Sequence, residues 1–228
     1  MKSIILGAGE VGSALHRVLR DFYPTEIFDK FKHKQEIHGN FELMHVCFPY
    51  SKDFVVEVKR YQKEFKPKYT IIHSTVPVGT SRECDALNSP IRGIHPDLYD
   101  SLLVFPKFIG GAQASEVADY FRRARIKVIL CDDSETTELG KLLDTEYYRV
   151  CIEFTKKAKE YCDNYGVNFN EAYTLFNQTY NQSFILLGQS EYVRPVLQPI
   201  MKKIGGHCVV PNSKLLKISK NRKRPKKQ

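Results

Sequence analysis

Three glycines near the start of the chain constrain its fold more than any other feature. Gly7, Gly9 and Gly12 form a G-x-G-x-x-G pattern after an apolar run at residues 2–6 and before apolar residues at helical spacing. The first glycine of such a pattern makes a tight turn, the second lets the backbone approach a pyrophosphate, and the third lets the helix pack on the strand. The pattern therefore predicts a strand, a turn and a helix that bind a dinucleotide.

Residues around this loop bear on which cofactor binds. Asp29 ends the second predicted strand, where a carboxylate can accept hydrogen bonds from the adenosine ribose, so we predict NAD. Lys30 and Lys32 leave NADP open, because a cation at this place can meet a 2′-phosphate. Glu10 and Val11 complete the predicted cofactor loop. A flavin site and a purely structural turn are the alternatives to this interpretation.

Strands and helices alternate over the first part of the chain. Apolar runs indicate strands at residues 26–29, 43–48, 69–74, 91–94 and 127–131, with helices at 52–65 and 114–124. Such alternation is typical of an α/β fold with a doubly wound parallel sheet. The sequence thus predicts a Rossmann-type NAD-binding domain over residues 1–134.

Beyond residue 134 the apolar spacing becomes that of a long helix. Residues 136–165 contain no proline and one internal glycine, and Gly166 follows them. An uninterrupted pattern of this kind favours a single helix ended by that glycine. We predict a central helical region over residues 135–212.

The positive charge of the chain is concentrated at its end. The formal net charge is +9, and residues 214–228 hold eight lysines and arginines and no acidic residue. A run of like charges is typical of a solvated segment, so residues 213–228 are predicted to be a basic, disordered tail. We do not expect nucleic-acid binding, because no aromatic residue follows Tyr192 to stack on bases.

Other features indicate a cytoplasmic protein without a membrane anchor. The sequence has no apolar run of about 18 residues, and the apolar stretch at its start is too short for a signal peptide. The six cysteines lack metal-type spacing, so we predict reduced thiols and no metal site. They are Cys47, Cys84, Cys131, Cys151, Cys162 and Cys208.

Several segments, in order, resemble one protein family. Residues 73–80 read H-S-T-V-P-V-G-T and resemble the S-T-V-P-x-G-T segment of the UDP-glucose/GDP-mannose dehydrogenase family, the nucleotide-sugar 6-dehydrogenases. Further resembling segments lie at residues 46–49, 95–98, 107–111, 138–141 and 205–208. The last of these is similar to the G-G-H-C of the UDP-N-acetyl-hexosamine branch. The resemblance extends to about residue 216.

The resemblance implies a four-electron oxidation of a sugar alcohol to a carboxylate, with two NAD reduced per turnover. Cys208 is implied as the nucleophile, which forms a thiohemiacetal and then a thioester. Lys141 is implied to stabilise an oxyanion or to carry a proton, and Thr75 to position water or the nicotinamide ribose. Pro49 and Ser74 are implied to contact the cofactor together with Thr75.

The resemblance also implies how the chain assembles and what it binds. Family members dimerise through the helix that corresponds to residues 136–165, so a homodimer is expected. The expected substrate is a nucleotide sugar or a related small molecule.

The chain departs from the family pattern around the substrate. Asn212 stands where the family has an aspartate, and an amide can orient a water but cannot act as a base. Thr145 stands where the family has an asparagine, Asp97 replaces a glutamate, and Lys156-Lys157 replace an Asn-Glu pair.

Two hypotheses about function follow from these departures. Family members carry a second α/β domain that binds the nucleotide half of the substrate, and this sequence ends soon after Cys208. The protein is then a short enzyme, an enzyme completed by a separate chain, or a degenerate homologue. The first hypothesis is an NAD-dependent UDP-sugar dehydrogenase. The alternative is a non-catalytic or degenerate dinucleotide-binding protein in which Cys208 is inert.

Overall fold

The computed structural model describes residues 1–32, 37, 39–200, 209–220 and 222. They fall into two compact units. Of the described residues, unit 1 contains those up to 142 and those from 215 onward, and unit 2 contains those between 143 and 214.

Unit 1 is built on a seven-stranded sheet. Its strands are β1 (Ser3–Leu6), β2 (Thr25–Phe28), β3 (Leu43–Val46), β4 (Tyr69–Ile72), β5 (Leu87–Asn88), β6 (Lys107–Gly110) and β7 (Val128–Cys131). They lie in the order β2-β1-β3-β4-β5-β6-β7. Strands β1 to β5 are parallel, β6 is antiparallel to β5, and β7 is parallel to β6.

Helices cover both faces of this sheet, and further helices follow its last strand in the sequence. They are α1 (Glu10–Leu19), α2 (Phe54–Phe65), α3 (Thr80–Glu83), α4 (Tyr99–Val104), α5 (Ala114–Arg123), α6 (Ser134–Tyr165), α7 (Phe176–Leu186) and α8 (Val209–Lys220). A π-helical turn, Asn170–Leu175, precedes α7, and a short 3-10 helix spans Ser190–Tyr192. The arrangement confirms the predicted Rossmann-type α/β fold followed by a long helix.

The two faces of the sheet bury separate cores. Ile5 packs on one side with residues of α1 and α5, whereas Ile4 and Leu6 pack on the other side with residues of α2. Burial on both faces gives the strands their continuous apolar sequence. In the register of the sheet, Ile5 neighbours His45 of β3, which in turn neighbours Ile71 of β4. An ionisable side chain therefore lies in the middle of the sheet.

The predicted strand at residues 91–94 is wrong. These residues form no strand, and the sheet instead uses β5 before them and β6 after them. Ile91 is 7% exposed and belongs to the core that contains Ile5. Its apolar character reflects packing of a loop residue rather than strand pairing.

The predicted disordered tail from residue 213 also differs from the structure, in which residues 213–220 belong to α8. Val209, Asn212 and Ser219 are buried and lie on one helical face, whereas Lys217 and Lys220 are exposed. The charges thus occupy one side of an amphipathic helix, which a count of lysines does not reveal. The remaining residues of the predicted tail, 221 and 223–228, lie outside the described residues.

Unit 2 contains the second part of α6, the π-helical turn and α7. A small apolar cluster of Cys162, Phe169 and Tyr173, with Ala158 and Val196 packed against it, holds these elements together. Within the described ranges, no helix combines the length and apolar character needed to cross a bilayer.

Candidate functional site

Packing of the backbone requires glycine at two of the three loop positions. Gly7 has φ +101°, and a Cβ there would lie 2.9 Å from the backbone nitrogen of Phe48. A Cβ on Gly12 would lie 1.8 Å from the carbonyl oxygen of Gly7. A side chain at either position would thus separate α1 and β3 from the turn.

Gly9 has a different environment. Among the described residues, no atom lies within 4 Å of a Cβ built there, and φ is −79°, which any residue adopts. Gly9 is the N-cap of α1, and the first-turn amides of a helix have no acceptor within the helix. Packing therefore does not require a glycine at this position, and the open backbone face at the start of α1 suits an anion.

Asp29 lies at the rim of this loop. Its carboxylate accepts hydrogen bonds from the amides of Ala8 (2.9 Å) and Phe31 (3.0 Å). These amides, that of Ala8 first, lower the pKa of Asp29, so the group is anionic at neutral pH. A carboxylate has about four acceptor positions, and it can therefore also accept a ribose hydroxyl.

The two lysines that could favour a 2′-phosphate have partners in the protein. Lys30 forms a hydrogen-bonded ion pair with Glu57, and Lys32 Nζ donates to the carbonyl oxygen of Ala8 at 2.5 Å. The residues at the rim thus fit a dinucleotide whose ribose hydroxyls meet an anion.

Glu10 introduces an acidic group at the first position of α1. Its carboxylate lies 2.5 Å from His95 Nδ1, and a cavity of about 330 Å³ between α1 and the loop after His95 is lined by Glu10, Ser13, Arg17 and residues 96–99. A larger cavity of about 880 Å³ lies at the opposite edge of the sheet and contains none of the predicted site residues.

The other predicted cofactor contacts follow β3 and β4. Pro49 is exposed, Thr75 is half-buried, and the hydroxyl of Ser74 donates to the carbonyl oxygen of Phe48 at 2.6 Å. Because β1, β3 and β4 are neighbouring parallel strands, their carboxyl ends lie at one edge of the sheet. The structure therefore brings the glycine loop, Pro49, Ser74 and Thr75 together at the edge where this class of fold binds ligands.

Glu138 supports the segment that follows Thr75. It is 1% exposed, and its carboxylate accepts the amides of Gly79 (2.6 Å) and Ser81 (2.7 Å). Burial raises the pKa of Glu138 to about 7, against the opposing effect of these amides. Glu138 lies in the segment at residues 138–141 that resembles the family, but its contact with this turn was not predicted.

A buried chain of ionisable side chains was missed by the sequence analysis. His73 Nε2 lies 2.9 Å from His45 Nδ1, and His45 Nε2 lies 3.3 Å from the hydroxyl of Tyr120. At the other end, the carbonyl oxygen of Ser89 accepts from His73 Nδ1 (2.8 Å) and from Lys107 Nζ (2.9 Å). The sequence does contain an indication of this chain, because His45 lies within an apolar strand and His73 directly follows one.

Burial keeps the two histidines of this chain uncharged at neutral pH. It lowers the pKa of His45 to about 3 and that of His73 well below its ordinary value, and Lys107 adds a repulsive contribution to both. Burial likewise lowers the pKa of Lys107 to about 7. All three side chains are less than 5% exposed.

The predicted catalytic residues are only partly described. Lys141 is half-buried on α6 in unit 1. In unit 2, Asn212 Nδ2 donates to the hydroxyl of Thr145 at 3.1 Å, and both residues are buried. Two of the positions at which the sequence departs from the family pattern thus contact each other. Cys208 lies outside the described residues.

Among the residues that the structure describes, no three or more histidine, cysteine, aspartate or glutamate side chains are arranged to hold a metal ion.

No family model matches the sequence, and no curated protein matches it. Solved structures do share its fold. UDP-D-ManNAc dehydrogenase from Pyrococcus horikoshii is 17% identical with a TM-score of 0.72, and the match covers 98% of this chain and 66% of that one. NDP-N-acetyl-D-galactosaminuronic acid dehydrogenase from Methanosarcina mazei is 15% identical with a TM-score of 0.71, covering 96% and 60%.

A third similar structure comes from another group of dehydrogenases. The 3-hydroxyisobutyrate dehydrogenase of Mycobacterium tuberculosis is 14% identical with a TM-score of 0.62, covering 78% of this chain and 70% of that one. At these identities the likeness shows a common fold, which several dehydrogenases use. The chain spans less than two thirds of the length of the first two proteins.

Proposed function

We propose that the protein is an NAD-dependent oxidoreductase that resembles UDP-sugar 6-dehydrogenases and oxidises an alcohol of a nucleotide sugar to a carboxylate. The observation that carries the proposal is the edge of the sheet at which the open backbone of Gly9, the first turn of α1 and the anionic Asp29 lie together. The fold shared with two nucleotide-sugar dehydrogenases supports it.

The chain's own residues divide the binding of the cofactor between them. The amides of the first turn of α1 suit the pyrophosphate, and the anionic Asp29 suits the ribose hydroxyls. NAD is favoured over NADP, because a 2′-phosphate would meet the Asp29 carboxylate while Lys30 is held by Glu57. Bound NAD supplies a hydride acceptor.

The proposed chemistry needs a nucleophile and a proton carrier. After a first hydride and a proton leave the alcohol, the Cys208 thiolate adds to the aldehyde carbon, and loss of a second hydride gives a thioester. Water then releases the carboxylate and returns the thiol. Lys141 stabilises the oxyanion or carries the proton, Thr75 positions water or the nicotinamide ribose, and Asn212 orients a water or hydroxyl.

We further propose that the protein is a homodimer formed through α6. This helix has 32 residues, so it is about 48 Å long. Leu143, Tyr147 and Phe154 are at least half exposed, and Leu139 and Val150 extend the same stripe. Sedimentation velocity should give the mass of a dimer, and the double variant Leu143→Glu/Phe154→Glu should give that of a monomer. A monomeric wild-type protein would refute this assembly.

The enzymatic proposal is tested by NADH formation at 340 nm with UDP-glucose, UDP-N-acetylglucosamine and related nucleotide sugars. We expect NADH from at least one of them, with two NADH formed per carboxylate. Cys208→Ser should abolish formation of the acid, whereas Cys131→Ser, a matched change elsewhere, should retain it. Binding of NADH without turnover of any nucleotide sugar would contradict the enzymatic proposal.

The alternative is a dinucleotide-binding protein without catalytic activity. The observation that favours it is the neutral Asn212–Thr145 pair, in which neither side chain can act as a base at neutral pH. In that case NADH still binds, and Cys208→Ser changes neither NADH binding nor the labelling of the protein by iodoacetamide. Faster labelling of wild-type Cys208 than of the other cysteines supports the enzyme instead.

A further inference from the structure

The end of the chain contacts the segment that follows Thr75. The hydroxyl of Ser219 accepts the amide of Val78 at 3.0 Å. The guanidinium of Arg222 donates to the carbonyl oxygen of Val78 at 3.4 Å and to the hydroxyl of Thr80 at 3.0 Å. Both backbone groups of Val78 are therefore bound, the amide by Ser219 in the last turn of α8 and the carbonyl oxygen by Arg222 beyond that helix.

Internal hydrogen bonds set the direction of both hydroxyls in this contact. Ser219 donates its hydrogen to the carbonyl oxygen of Leu215 at 2.8 Å, which leaves its lone pairs to the amide of Val78. Thr80 donates to the carbonyl oxygen of Pro77 at 2.6 Å, which leaves its lone pairs to Arg222. Ser219 is 9% exposed, so water competes little for these bonds.

The same segment is held from a second side. Glu138 of α6 accepts the amides of Gly79 and Ser81, the residues immediately after Val78 and Thr80. Gly79 has φ +89°, a conformation that glycine adopts at no steric cost. Arg222 also lies 3.3 Å from the carboxylate of Glu83 at the end of α3. The turn is thus fixed by side chains from α6 and from the end of the chain.

We infer that Ser219 and Arg222 are positioning residues that hold the turn at residues 77–80 and thereby set the place of Thr75 at the carboxyl end of β4. Thr75 lies two residues before Pro77, whose ring fixes φ and transmits the restraint along the chain. The nicotinamide half of NAD as the ligand rests on the proposed function. Ser219 and Arg222, which were predicted to belong to a solvated tail, thus have a role in the cofactor site.

Amide hydrogen exchange followed by NMR tests whether the contact holds the turn. Ser219→Ala should speed exchange of the Val78 amide about tenfold, the effect of losing one hydrogen bond of ordinary strength. Arg222→Ala should speed it as well, because it frees the carbonyl side of the same residue. The exposed Lys217→Ala is the matched control, since it removes one charge from α8 and should leave Val78 unchanged.

Ligand binding tests whether the contact matters to the site. Arg222→Ala should weaken NADH about tenfold while leaving ADP-ribose, which lacks the nicotinamide, within about twofold. ADP-ribose needs only the glycine loop and Asp29, so a general loss of structure would weaken both ligands equally. Arg222→Lys keeps a cation with three donors and should recover part of the NADH affinity.

The outcomes separate the inference from the proposed function. Unchanged exchange at Val78 in both variants overturns the inference, and so does equal weakening of NADH and ADP-ribose. If wild-type protein binds neither ligand, the proposed function fails, and exchange at Val78 alone then decides whether Ser219 and Arg222 hold the turn.

Discussion

The glycine loop and the buried histidine chain use polar groups in opposite ways on the same sheet. At the loop, backbone amides and Asp29 lie at the carboxyl edge of the sheet. The backbone is open at Gly9, although packing does not require a glycine at that position. In the interior, His45 and His73 contact each other and are buried. A binding site and an internal network can thus share the same chemistry, and the location of the hydrogen-bond partners distinguishes them.

The largest expected effect comes from comparing two glycines of one loop. Gly12→Ala should lower the free energy of unfolding by more than about 4 kcal/mol, because its Cβ would overlap the carbonyl oxygen of Gly7. Gly9→Ala should change stability by about 1 kcal/mol or less and still weaken NADH at least about tenfold, since a methyl group would stand where the pyrophosphate approaches. Urea unfolding and fluorescence titration measure the two quantities.

Equal stability losses in the two glycine variants would contradict this assignment. Unchanged NADH affinity in a folded Gly9→Ala protein would place the ligand elsewhere.

The next effect concerns Lys107 and pH. Its pKa is about 7 in the folded protein and 10.5 ordinarily, so the unfolded state binds one more proton between these values. Stability should therefore rise with pH by about 1.4 kcal/mol per unit in this window and be constant above it as far as Lys107 is concerned. Lys107→Met should remove that rise and be more stable than wild type near pH 7.5, and the gain should shrink as the pH increases.

Urea unfolding between pH 7.5 and 9.5 measures this slope. Lys127→Met is the matched control, because Lys127 is exposed and its substitution should leave the slope intact. Parallel stability curves for wild type and Lys107→Met would show that Lys107 is charged in the folded state.

A moderate effect is expected at the inner end of the buried chain. The hydroxyl of Tyr120 lies 3.3 Å from His45 Nε2 and donates to Ser3 Oγ at 3.0 Å. Tyr120→Phe leaves these buried groups without that partner and should cost about 1–3 kcal/mol. Tyr23→Phe removes a half-buried hydroxyl that donates to the backbone of Tyr120, and should cost about 1 kcal/mol. Thermal and urea unfolding measure the stability losses of the two variants. A larger loss in Tyr23→Phe would contradict the contribution of the buried histidine chain to stability.

A small effect on stability is also expected at Asp29. Asp29→Asn keeps an acceptor for one of the two amides of Ala8 and Phe31 but turns an amine toward the other, and should cost about 1 kcal/mol. Wild-type Asp29 contributes stability above its ordinary pKa, and loses it as the pH falls through its lowered folded pKa. NADH affinity should fall about tenfold. An unchanged NADH affinity in this variant would remove Asp29 from the proposed site.

The glycine loop was predictable because its requirements are local. The spacing of Gly7, Gly9 and Gly12, followed by Asp29 at a strand end, is visible along the sequence, and the structure places them together. The alternation of strands and helices likewise predicted the fold class, since periodicity reports which residues are buried. The role of Cys208 and the domain limits remain predictions.

The buried chain and the role of the chain end were not predictable in this way. His45, His73 and Lys107 lie close together only because β3, β4 and β6 belong to one sheet. The spacing of these residues along the sequence does not predict that contact. Ser219 and Arg222 contact Val78 more than 140 residues earlier in the chain. The lysines of α8 suggested a solvated tail because charge was counted without regard to the face of the helix.

The carbonyl oxygen of Ser89 determines which nitrogen atoms carry the hydrogens in the buried histidine chain. A carbonyl can only accept, so His73 carries its hydrogen on Nδ1, and when neutral it accepts at Nε2 from His45 Nδ1. The bare Nε2 of His45 then needs the hydrogen of Tyr120. Tyr120 gives that hydrogen to Ser3 instead, so its contact with His45 is a hydrogen bond only when the two rings hold a third proton. The orientation of the Tyr120 hydroxyl is therefore linked to the number of protons on the imidazoles of His45 and His73. The nitrogen-15 chemical shifts of the two rings measure that number.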